Sequence, residues 1–202
     1  MRKLYQDYFH EYMLLFPTLN DYLDLDKYAY LKSKYENNIS ETHLELQQKL
    51  YTKYLTKINK IKNKSHYDLV LKYILESYLE ALNYDFHLIP LNHSDNIITY
   101  YVEMAEGNSL YKFNNNDDYI KFLEKTKEFL IWIDTSIDNM KLGIKKQIVL
   151  PKTITKLLIN QLKDVVKSKS YHNPKVPKTL QIDFNREMDL LLLPKIKRMI
   201  VF

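Results

Sequence analysis

Residues 140–162 read MKLGIKKQIVLPKTITKLLINQL. The chain holds only two glycines, Gly107 and Gly143, and the second falls inside this stretch. On either side the apolar residues recur at helical spacing. Upstream, Ile120, Leu123, Phe129, Leu130, Ile133, Ile137 and Met140 follow three- and four-residue steps, which predicts a helix over 118–142. Glycine enters the left-handed conformation that ends helices at little cost, so Gly143 is expected to close that helix. The following Ile-Val-Leu is β-branched and precedes Pro151, which biases it away from helix and toward an extended link. Pro151 then opens a helix over 151–167, in a first turn where its missing N–H costs nothing. The link is short and apolar, and two long helices meet across it. A lone glycine makes no phosphate-cradling loop.

Outward from this joint the same pattern repeats. Leu4, Tyr5, Tyr8, Phe9, Tyr12, Leu15 and Phe16 mark one helical face, ended by Pro17. Residues 18–37 show little periodicity, with a short helix expected in KYAYLKSKY. Ser40 reads as the N-cap of a helix carrying Leu44, Tyr51, Leu55, Ile58 and Ile61, with Ile39 and Leu44 placed as a hydrophobic staple. Ser65 with Asp68 reads as the next cap, opening a helix that runs toward Pro90. That helix is apolar on most sides, which places it centrally in the fold. A short helix over 97–106 ends at Gly107, and a last one over about 180–200 contains Pro194, which should kink it. No period-two strand and no repeat stands out. The fold class is all-α: a single domain over 1–202, an antiparallel array of six to eight helices without a sheet.

Composition limits the chemistry. There is no cysteine, hence no disulfide, thiolate nucleophile or cysteine-held zinc. The net charge is +5, almost all of it lysine, and Lys, Asn, Ile and Tyr are abundant. These residues have A/T-rich codons, so the basic balance reflects genome composition as much as a ligand, as in an A/T-rich microbe or a large DNA virus. Lysines interspersed with acids predict weak, salt-sensitive contact with nucleic acid and no specific recognition. No apolar run is long enough to cross a membrane, and the N-terminus lacks a signal-peptide pattern, so a cytoplasmic location is expected, in the host cytoplasm if the source is viral.

The six histidines do not assemble a metal site. His10 begins a His-Glu-x-x-His pattern that fails at Leu14, and it reads as a partly exposed helix residue. His93 lies in a polar loop beside Asp95. Asp24, Asp26, Asp117 and Asp118 sit next to connectors and read as caps and turn formers. No catalytic, cofactor-binding or metal-ligating residue is assigned.

The stretch 140–162 resembles a motif of the family catalogued as domain of unknown function 885. Phe16-Pro17, HLIPLNHSDN at 87–96, the helix over 119–140 and LLLPKIKRMIVF at 191–202 resemble further pieces of that family, in the same order. His93 stands where glutamine is usual, and Gln147 where a second glycine is frequent. The resemblance implies a mostly helical fold in the lineage of zinc metallopeptidases, carboxypeptidase-like in several members. It singles out Gly143, Pro151, Lys152 and Gln161 as motif positions, and Asn92 and His93 as cleft-facing loop residues. The family's His-Glu-x-x-Pro-Gly-His motif does not occur in 1–202.

Two functions are therefore expected. In the first, the chain is a split or truncated member that forms one wall of a substrate cleft. A second polypeptide then carries the catalytic half and any zinc, and this chain is inactive alone. In the second, it is a non-enzymatic helical module that binds a protein partner, or a decayed pseudoenzyme. Substrate and oligomeric state are not read from the sequence.

Overall fold

The computed structural model describes residues 3–92, 96–109 and 111–201. Their regular structure is helical throughout, with no strand among the described residues. The helices are α1 (Lys3–Leu15), α2 (Leu19–Leu23), α3 (Glu41–Asn59), α4 (His66–Ala81), α5 (Ile97–Glu106), α6 (Asn116–Lys146), α7 (Lys152–Ser168) and α8 (Phe184–Val201). Two 3-10 helices, Asp26–Ser33 and Phe86–Leu88, join them.

The main core is built by α5, α6, α7 and α8. Tyr101, Phe122, Phe129, Leu158, Leu162, Met188, Leu192 and Ile196 are buried there. Tyr101 stacks on Phe129 with ring centroids 3.8 Å apart, so α5 is pinned flat against the middle of α6. A smaller core of Leu50, Tyr51, Tyr54, Ile58 and Leu75 joins α1, α3 and α4. Met13, Tyr28 and Leu31 form a third apolar cluster, against which Leu19 packs.

Local chemistry explains most helix ends. Ser40 accepts from the His43 backbone N–H, and Ser65 and Asp68 form a reciprocal capping box. Asn115 and Asp118 form another at the start of α6, which explains why this helix begins before the expected residue 118. Asp24 and Gly107 end α2 and α5 in the left-handed conformation. Helix α8 continues through Pro194 without ending.

Three expectations fail. Helix α4 ends at Ala81, short of Pro90, and a separate 3-10 helix spans Phe86–Leu88. Helix α4 is peripheral: Asp68 and Leu75 are its buried residues, while Tyr67 is 75% and Tyr73 71% exposed. Its apolar residues lie on several sides, but only one narrow face meets α3. Gly143 is also not a cap. Helix α6 runs on to Lys146, and the left-handed residue is Gln147, with φ 61°. Gly143 stays helical and buried because another part of the chain comes too close for a side chain. A Cβ there would meet the Ile148 carbonyl oxygen at 2.6 Å and the Leu88 carbonyl oxygen at 3.0 Å.

Candidate functional site

Gly143, Pro151 and Lys152 lie at one joint between the segment before α5, the end of α6 and the start of α7, and Gln161 lies farther along α7. Gly143 lets the Leu88 backbone lie against α6. The Ile148 N–H donates to the Gly143 carbonyl at 2.8 Å and folds the chain back after the helix end. Ile148 and Leu150 are half-buried in this bend, and Leu150 packs against the main core. Pro151 occupies the N-cap of α7 with φ −55° and ψ 140°, one position earlier than a first-turn proline. Lys152, the first residue of α7, is exposed, and its ammonium makes no ion pair among the described residues.

Gln161 differs from the expectation that it faces a partner. It is half-buried, and its Oε1 accepts from Asn96 Nδ2 at 3.2 Å. Asn96 Oδ1 in turn caps α5 by accepting from the Ile98 N–H at 3.0 Å. Gln161 thus ties α7 to the start of α5. Asn92 is exposed just before this cap. His93 lies outside the described residues. Gly143 packs against Leu88 and Ile148, Gln161 bonds to Asn96, and Lys152 is left as an outward charge.

Two of the other histidines, His43 and His10, make contacts within the fold. His43 is buried, contacts the Leu15 carbonyl through Nε2 at 2.9 Å and pairs through Nδ1 with Gln47 at 2.9 Å. Burial pushes its pKa below the ordinary histidine value, against the opposing effect of the Leu15 carbonyl. His10 is half-buried, with Nδ1 3.2 Å from the Tyr28 hydroxyl. Among the described residues no group of three or more His, Asp or Glu could hold a metal ion.

Two charged clusters were not legible in the sequence. Lys125, fully buried on α6, donates to Asp21 of α2, which is also buried. Burial pushes Asp21 up and Lys125 down, and each partner's charge opposes the other's shift. At the surface between α7 and α8, Asp189 accepts from Lys169 Nζ at 2.8 Å and Tyr171 Oη at 2.8 Å, and lies 3.0 Å from His172 Nε2. Burial acts to raise the Asp189 pKa, but these three partners together hold it at about 2. Neither cluster pairs its charges with a positioned nucleophile. Asp21–Lys125 has no opening to solvent, and the groups around Asp189 spend their donors on one carboxylate.

Two concavities stand out among the described residues. One, of about 420 Å³, lies among α1, α3, α4 and the segment 84–90, lined by Tyr12, Phe16, Tyr51, Tyr78 and Phe86. The larger, of about 1500 Å³, is a groove between α1, the 3-10 helix Asp26–Ser33 and α4. No helix among the described residues is long and apolar enough to cross a membrane. Comparison with protein-family models, with curated proteins and with solved structures gives no match to the chain.

Proposed function

We propose that the chain is the N-terminal helical half of a metallopeptidase-like protein and forms one wall of a substrate cleft completed by a catalytic half. One observation supports this reading. Two segments of the resemblance that are distant in sequence, 87–96 and 140–162, touch at two places, where Gly143 receives Leu88 and Gln161 receives Asn96. A constellation that serves one local contact would not need both. The joint leaves Lys152 exposed at the N-terminal end of α7, available to a carboxylate of a bound peptide or of the opposing half.

On this reading any zinc is carried by the catalytic half. No catalytic step is assigned to the described residues. Their role is to hold shape and present Lys152.

Reconstitution tests the reading. The chain is mixed with a polypeptide that carries His-Glu-x-x-Pro-Gly-His, taken from a neighbouring reading frame or from a long member of the resembling family. Co-elution of the two, with peptide cleavage seen only in the mixture and stopped by a chelator, is the expected result. Lys152→Ala should lower that cleavage without disturbing co-elution. Absence of both a complex and cleavage would overturn the proposal, as would cleavage or stoichiometric zinc in the isolated chain.

A further inference from the structure

The groove between α1, the 3-10 helix Asp26–Ser33 and α4 combines apolar walls with unpaired negative charge. Its walls are largely aromatic and aliphatic: Tyr8 and Phe9 from α1, Tyr28 from the 3-10 helix, and Tyr67, Val70 and Ile74 from α4. Phe9, Tyr67 and Val70 are exposed. Contiguous apolar surface of this kind marks an interaction site more than scattered exposed residues do. The volume, about 1500 Å³, corresponds to about three turns of an α-helix with short side chains.

The carboxylates say what sort of helix. Asp7 and Asp26 both line the groove, and neither makes an ion pair among the described residues. Asp7 is half-buried and Asp26 exposed, and several carboxylates elsewhere do make such pairs. Glu11 holds Lys53 at 2.6 Å, Asp118 holds Lys32 at 2.7 Å, Glu128 holds Lys34 at 3.0 Å and Asp189 holds Lys169 at 2.8 Å. Two other titratable groups face the same space. Lys27 Nζ stands 5.3 Å from the Tyr28 ring centroid, and His10 contacts the Tyr28 hydroxyl. Lys27 and His10 are therefore engaged at Tyr28, while Asp7 and Asp26 have no cation of their own.

We propose that this groove receives an amphipathic helix of a partner protein, with its apolar face against Tyr8, Tyr67 and Val70 and its lysine or arginine side chains against Asp7 and Asp26. This is helix-in-groove recognition with charge setting the register. It is independent of the peptidase lineage, because none of these residues belongs to the joint at Gly143.

The whole chain carries net charge +5, so nonspecific attraction favours an acidic peptide. That makes a sign test decisive. Two fluorescein-labelled model helices, one of leucine and lysine and one of leucine and glutamate in the same pattern, are titrated with the chain at physiological salt and followed by anisotropy. The lysine peptide should bind at least about tenfold tighter. The double variant Asp7→Asn, Asp26→Asn should lose about fivefold or more of that affinity, with an unchanged circular-dichroism spectrum. Tyr67→Ser with Val70→Ser should weaken both peptides. Equal affinities, a preference for the glutamate peptide, or indifference to the double Asn variant would each overturn the proposal. So would a dimer of the free chain in sedimentation that Tyr67→Ser with Val70→Ser abolishes, because the occupant would then be a second copy.

Discussion

Replacing Gly143 by alanine separates two reasons for a glycine at the end of α6. If the residue served as a left-handed cap, alanine would cost about 1 kcal/mol of backbone strain. The structure gives a different origin. Gly143 is helical, where alanine alone would gain about 1 kcal/mol over glycine. Against that gain, the new Cβ would stand 2.6 Å from the Ile148 carbonyl oxygen, about 0.8 Å short of ordinary contact, and 3.0 Å from the Leu88 carbonyl oxygen. Both obstacles are backbone, so neither can rotate away. Overpacking of this sort costs about 1–3 kcal/mol per site, and here two strands of backbone must give. The net expectation is a loss of about 2 kcal/mol for Gly143→Ala, with Gly143→Val worse.

For a chain of this length, about 2 kcal/mol lowers Tm by about 4–8 °C. The complementary variant is Gln147→Gly. Gln147 is the residue that occupies φ 61°, so glycine there should gain about 0.5–1 kcal/mol and raise Tm by about 2 °C. Differential scanning calorimetry of both variants beside the wild type reads the two signs at once. A Gly143→Ala protein that melts at or above the wild-type temperature would refute the close-approach argument. A Gln147→Gly protein that melts lower would refute the placement of the cap.

Three further expectations follow from the charges. Asp21→Ala leaves the Lys125 ammonium buried without its carboxylate and should cost about 3–5 kcal/mol in urea unfolding, whereas the pair replaced together by Asp21→Leu and Lys125→Met should recover much of it. Asp189 has its pKa depressed from 3.8 to about 2, so its contribution is fully present above the ordinary carboxylate range and lost as pH falls toward 2. Asp189→Asn should therefore remove about 1 kcal/mol at pH 6 and flatten the acid side of the stability curve between about pH 4 and 2. Lys152→Ala should change stability by less than about 0.5 kcal/mol, since the side chain is exposed and unpaired, and a larger loss in calorimetry would make it a structural residue.

Helix identity and most boundaries were legible because their causes are local. Ser40, Ser65 and Gly107 act within one turn of where they stand, and Pro17 acts on the residue before it. Gly143 was legible as a special position and misread in its cause. The obstacle to its side chain is Leu88, which belongs to a different element, and no spacing in the sequence reports such an approach. The exposure of α4 was missed for a related reason. Apolar residues on several sides of a helix ordinarily mean burial, but here the partners available, α1 and α3, cover only the face with Leu75. The polar clusters were the least legible part: Asp21 and Lys125 are 104 residues apart, and each alone reads as a solvated charge.

The weakly periodic stretch 18–37 shows what that missing information does. Its attachment to α6 is mainly polar. Lys125 reaches Asp21, Lys32 reaches Asp118 at 2.7 Å, and Glu128 accepts from the Tyr35 N–H at 2.6 Å. Just beyond, Asn37 Nδ2 donates to Thr135 at 2.8 Å and Trp132 Nε1 donates to Asn38 Oδ1 at 2.9 Å. Hydrogen bonds are directional where apolar contact is not, so this strap fixes one position of the N-terminal helices on α6. It also does so without using their apolar surface. The groove walls on α1 and α4 are left facing outward, not consumed in docking to the main core, and of the strap's lysines Lys32 and Lys34 are committed to Asp118 and Glu128 of α6 while Lys27 stands at Tyr28. The same polar strap that obscured this region in the sequence leaves those groove walls outside the main core.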